Sequence, residues 1–170
     1  MMVLVYGSQM FGAVVRSLVE DCGHTFAGFI DDVHAGPEVQ GTFDAVVRSH
    51  PPSGFACVNA VGYNNLAARR AVSQRLRAAG YATPSLIHPR AYVASSASVG
   101  GGAFVMAMAS VDHRVTIAED VVVWSAAAVS HDSRIDSNTF LSPAAVICGD
   151  CRVGRDCFVG AGAVVVSHAV

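Results

Sequence analysis

From residue 87 onward, every sixth residue is Val, Ile or Leu: Ile87, Val93, Val99, Val105, Val111, Ile117, Val123, Val129, Ile135, Leu141, Ile147, Val153, Val159 and Val165. A second column, four residues later, is made of small side chains. It runs from Ala91, Ala97, Ala103 and Ala109 through Ala127, Ser133, Thr139 and Ala145 to Cys151, Cys157 and Ala163, with Val115 and Val121 as the larger members. Strands alternate with a period of two and helices with 3.6, so neither accounts for a period of six. A tight triangular coil does. Each hexad makes one flat side, and three hexads close a turn of about 18 residues, the hexapeptide form of the parallel β-helix. A sandwich of ordinary short strands would break phase at its irregular turns. The spacing does not set the handedness of the coil.

Residues 1–86 read differently. Met2 to Tyr6 is a continuous apolar run, the mark of a buried parallel strand. A helical pattern follows, with Val14, Val15, Leu18 and Val19 on one face and Gly23 past its end. Thr25 to Ile30 reads as a second strand ended by Asp31-Asp32, and Ala56 to Val61 as a third. Asn64 to Ala79 predicts a helix with Leu66, Val72 and Leu76 buried, several arginines outside and Gly80 as its stop. Alternation of this kind implies a small α/β unit around a parallel sheet. The chain therefore divides into 1–86 and 87–170.

An 18-residue turn also predicts neighbours. Residues 18 apart lie above one another at roughly the 4.8 Å strand spacing. His113 then sits one coil from His131, with Gly149 one coil beyond, and Arg114 lies over Asp132, with Asp150 next. One edge of the prism carries them all, outside both core columns. A lone outward His is ordinarily just a corner residue. A His beside a carboxylate that orients it is a general-base unit, and a Gly next to it lets a substrate approach the backbone, whose N–H can hold an oxyanion. The neighbours thus raise His131 above the other histidines.

Composition excludes several chemistries. The chain has 11 Arg and no Lys, which removes Schiff-base catalysis and the Walker A phosphate loop. A net charge of -2 with scattered Arg argues against a sequence-independent grip on nucleic acid. No apolar run approaches the ~18 residues of a membrane span. The N-terminus lacks a basic flank and a cleavage site, so it is expected to be a strand rather than a signal peptide, in a cytoplasmic protein with reduced cysteines. Cys148-x-x-Cys151 with Cys157 looks like half a zinc site, but Cys151 and Cys157 fall in the inward small column and no second pair exists; no metal is expected. Gly7-x4-Gly12 alone is a weak dinucleotide signal.

The order and spacing of several short motifs carry a resemblance: Val5-Tyr6-Gly7-Ser8 after strand one, Asp31-Asp32 after strand two, Val61-Gly62-Tyr63-Asn64-Asn65 before the long helix, Ile87-His88-Pro89 at the junction, then Ser130-His131-Asp132 and Gly149. Together with the hexads they make the chain resemble the bacterial nucleotide-sugar N- and O-acetyltransferases of the sialic-acid and bacillosamine pathways. That family joins a small Rossmann-like domain to a left-handed β-helix.

The resemblance implies a homotrimer that uses acetyl-coenzyme A as co-substrate. His131 would be the general base, and Asp132 would orient it. Phe140, Gly149, Gly160 and Ala161 would line the coenzyme path, with the Gly149 backbone meeting the thioester. Gly7, Ser8, Gln9, Met10, Phe11, Asp31, Asp32, Gly62 and Asn64 would hold a nucleotide-linked amino sugar. The chain departs from the family in two places. Gln9-Met10-Phe11 replaces a small-Gly-His run, and Phe140 stands where some members place a His that touches the coenzyme. Two readings compete with N-acetylation of an amine: O-acetylation of a sugar hydroxyl, and a non-catalytic trimeric scaffold.

Overall fold

The computed structural model describes residues 1–170, which divide into two compact units, Met1–Pro84 and Ser85–Val170. In the first unit the elements run β1 (Met2–Tyr6), α1 (Met10–Asp21), β2 (Thr25–Ile30), β3 (Val39–Gly41), α2 (Phe43–Ser49), β4 (Ala56–Asn59) and α3 (Leu66–Ala78). The strands form one parallel sheet in the order β3-β2-β1-β4. The central strand, β1, buries Val3, Leu4 and Val5 completely, which is why it reads as an unbroken apolar run. Leu4, Ile30, Cys57, Val46 and Leu76 gather in the core on one face of the sheet.

Three details differ from the sequence reading. In α1, Val15, Leu18 and Val19 are buried, but Val14 lies on the solvent side and Gly12 takes its place. A Cβ at Gly12 would lie 2.1 Å from the Gly7 carbonyl oxygen, so helix and strand end touch backbone to backbone. Residues Tyr63–Asn65 form a single 3₁₀ turn ahead of α3, with the Asn65 side chain accepting from Ala68 N. Within α3 the buried positions are Arg69, Ser73 and Leu76, while Leu66 and Val72 are half-buried. Asn59 meets this face: its Nδ2 donates to the Arg69 backbone carbonyl at 2.7 Å and to Ser73 Oγ at 2.9 Å. The β3–α2 segment carries too short an apolar pattern to be legible in sequence.

The second unit contains fourteen two-residue strands, from Leu86–Ile87 to Val164–Val165. They stack into three parallel sheets, and each strand pairs with the one 18 residues on, as in Thr116↔Arg134 and Ala128↔Val146. The predicted turn length is therefore the real one. Both hexad columns point inward and share one core, from Ala103 and Val105 to Cys151 and Val153. Ile87 is the exception; at the start of the stack it is 37% exposed.

From Gly102 onward, each corner is turned by a left-handed residue. Every sixth position from Gly102 to His168 has positive φ, and ten of these residues are not glycine. Asp120, Asp132, Asn138, Asp150 and Asp156 are among them, side chains that tolerate this region best. Arg114 and Asp132 hold two successive positions of one such corner column.

Candidate active site

The corner after strand Ala128–Val129 presents His131 and Asp132 to solvent. Their backbone is pinned by the coils on either side: Asp132 N donates to the His113 carbonyl at 2.9 Å, and Asp150 N donates to the His131 carbonyl at 2.9 Å. The two oxygens of the Asp132 carboxylate have different partners. Oδ1 accepts from Arg114 Nε at 2.6 Å, and Oδ2 lies 2.9 Å from His131 Nδ1. The Arg114 hydrogen bond, followed by that of His131, lowers the Asp132 pKa to about 2. An ionised carboxylate only accepts, so in the neutral imidazole Nδ1 carries the hydrogen and Nε2 the lone pair.

That nitrogen rests against bare backbone. A Cβ built on Gly149 would lie 2.6 Å from His131 Nε2 and 2.7 Å from Cε1. Glycine is the side chain that leaves the imidazole room there. The same edge continues in both directions. Ser96 Oγ lies 2.8 Å from His113 Nδ1, and His168 Nδ1 lies 3.0 Å from Asp150 Oδ2. Neither of these pairs emerges from reading residues singly. The His168 partner follows from one more step of the 18-residue register.

The other coenzyme-side candidates lie along the same unit. Gly160 and exposed Ala161 sit in a turn, with open space around Gly160. Phe140 is 4% exposed and stacks between Trp124 and Phe158, with centroids 5.8 and 6.2 Å apart, so it offers a coenzyme little surface. No group of three metal-binding side chains occurs. Cys151 faces the core, its Sγ donating to the Val166 carbonyl at 3.1 Å.

In the first unit, Asp31 and Asp32 end β2 and are both tied inward. Asp31 accepts from Ser8 Oγ at 2.6 Å, Ser8 N at 3.0 Å, Val33 N at 2.9 Å and His34 N at 2.8 Å. Burial pushes its pKa up, but these four donors outweigh it, and the net shift is far down. Asp32 accepts from Tyr6 OH at 2.6 Å, Phe43 N at 2.7 Å and Arg75 at 2.7 Å. Burial again raises, and these donors again win. Arg75 also lies 4.1 Å above the Phe43 ring and bonds Asp44; no sequence signal marks it as a partner of Asp32.

Beside the two aspartates lies an open cleft of about 290 Å³, bordered by Val33 to Gly36 and by Val39, Gly41 and Thr42. Gly7 has φ +103 and its N–H donates to the Ile30 carbonyl, so it turns the chain next to Asp31. Gln9 precedes α1, Met10 is fully out in solvent, and Phe11 is half-buried. Gly62 and exposed Asn64 belong to the turn before α3. No helix is long and apolar enough to cross a membrane.

Known proteins resemble this chain. The bacterial transferase hexapeptide family, of six repeats, matches residues 132–167. No curated protein matches the chain. Among solved structures, the acetyltransferase domain of PglB from Neisseria gonorrhoeae is 31% identical, covers 99% of this chain and 93% of its own, and superposes with a TM-score of 0.88. The same domain in complex with acetyl coenzyme A is 32% identical, with 98% of this chain and 82% of that one covered and a TM-score of 0.86. PerB from Caulobacter crescentus, in complex with CoA and GDP-perosamine, is 27% identical over 98% of this chain and 89% of its own, with a TM-score of 0.81. With 31% identity over nearly its whole length to an acetyltransferase domain, and with the hexad coil common to both, the chain belongs to the hexapeptide-repeat acetyltransferases of the left-handed β-helix type.

Proposed function

We propose that the protein transfers the acetyl group of acetyl-coenzyme A to the amine of a nucleotide-linked amino sugar, with His131 as general base. The observation that carries this reading is the His131 ring, held by Asp132 through Nδ1 and laid over Gly149 with Nε2 free. Nε2 takes the proton of the attacking amine as the C–N bond forms. The imidazolium, stabilised by Asp132, returns that proton to the sulfur as the C–S bond breaks. No covalent enzyme intermediate is needed, because an amine is itself a competent nucleophile towards a thioester. The Gly149 backbone, bare of a side chain, meets the thioester beside Nε2. Gly160 and Ala161 line the coenzyme path beyond it.

The Rossmann-like N-terminal unit takes the nucleotide sugar at the carboxyl ends of its parallel strands, where ligands of open α/β sheets rest. Gly7 to Phe11, the Asp31-Asp32 loop and the Gly62–Asn64 turn surround that edge. Three similar structures support the substrate class: PerB holds CoA and GDP-perosamine, and two histidine variants of a GDP-perosamine N-acetyltransferase hold both as well. The active form is a homotrimer. Apolar side chains such as Tyr92, Val164 and Val166 stay exposed on the single chain, and only 14% of residues are charged to solvate it. Sedimentation as a stable monomer at micromolar concentration would refute the trimer.

The test is thiol release from acetyl-coenzyme A with a panel of GDP- and UDP-linked amino sugars, their hydroxyl counterparts serving as controls. One amino sugar should turn over, and His131→Ala should lose about 10²- to 10⁴-fold in rate with its melting curve unchanged. Turnover of the hydroxyl compounds alone would make the enzyme an O-acetyltransferase. Near-normal turnover by the variant would remove His131 as the base.

A further inference from the structure

The Asp132 carboxylate is shared between two coils. One oxygen serves His131 in its own corner, and the other is taken by an arginine from the corner one turn earlier. Resting on the reading of His131 as general base, we infer that Arg114 is a positioning residue that sets the basicity of His131 through Asp132. Its Nε donor and charge fix Asp132 Oδ1, so that only Oδ2 faces Nδ1 of the imidazole.

The placement is built rather than incidental. Arg114 and Asp132 occupy equivalent left-handed corner positions, φ 55 and φ 62, one above the other. The Arg114 backbone is itself held, its N–H donating to Ser96 Oγ at 3.1 Å, the same hydroxyl that touches His113 Nδ1. The stack of coils thus supplies an Arg–Asp–His relay that no single hexad contains. No proton passes to the aspartate, because the arginine holds it ionised at a pKa of about 2.

The relay has a signed consequence. The Asp132 carboxylate lies between the guanidinium and the imidazole, one oxygen bonded to each. Two like unit charges roughly 6 Å apart in a water-like dielectric shift a pKa by about half a unit. Arg114 opposes protonation of His131, while Asp132 favours it. The remaining groups facing His131 are His113 on the preceding coil and Gly149 and Asp150 on the following one, Asp150 being engaged by His168. None of these changes when residue 114 alone is replaced.

The experiment is a ring-carbon NMR titration of the histidines in the intact protein, with the His131 signal assigned by its loss in His131→Asn. Arg114→Gln keeps an N–H within reach of Asp132 and removes the charge. Arg114→Lys keeps the charge. Both share the backbone cost of a left-handed position, and the side chain is 63% exposed, so both variants should fold. The expected result is a His131 midpoint raised by about half a pH unit in Arg114→Gln and unmoved in Arg114→Lys, with the acid limb of kcat following the same order. A midpoint that stays put or falls in Arg114→Gln, or that moves equally in Arg114→Lys, overturns the inference. The titration needs no acceptor. A shift without any acetyl transfer would remove the proposed function and keep the relay, and transfer without a shift would do the reverse.

Discussion

Gly149→Ala isolates the geometry of the base from its chemistry. The new Cβ would meet His131 Nε2 at 2.6 Å, about 0.8 Å inside the 3.4 Å where ordinary contact begins. The Gly149 backbone is not in the left-handed region, so alanine brings no conformational strain. The imidazole must therefore yield. Its Nδ1 is tethered to Asp132 at 2.9 Å, which leaves a pivot that lifts Nε2 by most of an ångström. Misplacement of a reacting group by about 1 Å costs on the order of 10²-fold in rate, or about 2.7 kcal/mol of barrier. Stability should hold, or rise by a few tenths of a kcal/mol, since alanine narrows the unfolded ensemble. Thiol release at saturating concentrations of both substrates measures kcat, and a thermal melt checks the fold. A variant with native melting and kcat within about threefold of wild type would show that Gly149 does not seat the base.

The two aspartates after β2 should separate under mutation. Asp31 has a folded pKa below its unfolded value, so its contribution to stability is fully present above pH ~4 and is lost as the pH falls through the folded pKa. Asp31→Asn should cost about 1–3 kcal/mol at neutral pH and flatten the acid side of the stability curve, read by urea titration at pH 7 and pH 3; an unchanged pH dependence refutes the sign. Asp32→Ala should raise KM for the amino-sugar acceptor and leave KM for acetyl-coenzyme A nearly unchanged. Equal effects on both constants, or none on either, would mean that this loop does not hold the acceptor.

The hexad phase was enough to determine most of the second unit. An aliphatic residue at every sixth position sends one side chain of each flat side inward, and three sides close a turn. The register between coils then follows by counting, which brings His113, Arg114, His131, Asp132 and Gly149 onto one edge without any coordinates. The reading failed at the end of the stack, where Ile87 is partly open to solvent. In the first unit only the long strands and helices were legible. The pattern of β3 and α2 is too short to rise above noise, and no pattern separates the completely buried Arg69 from the outward arginines of α3.

What only the tertiary structure decided is which donor meets which acceptor. Column counting places Arg114 over Asp132, but not that Nε takes Oδ1 and leaves Oδ2 for His131; that depends on rotamers set by the left-handed corners of two coils. Counting likewise finds Gly149 next to His131, but not that the ring lies flat enough to exclude a methyl group. Asp31 and Asp32 look like a loop open to ligand, and folding turns both toward Ser8, Tyr6 and Arg75, partners 23 to 43 residues away. Repetition makes neighbours predictable because every turn has the same length. Hydrogen bonds stay undetermined until the backbone directions at both ends are known, and in the α/β unit no repeat relates those ends.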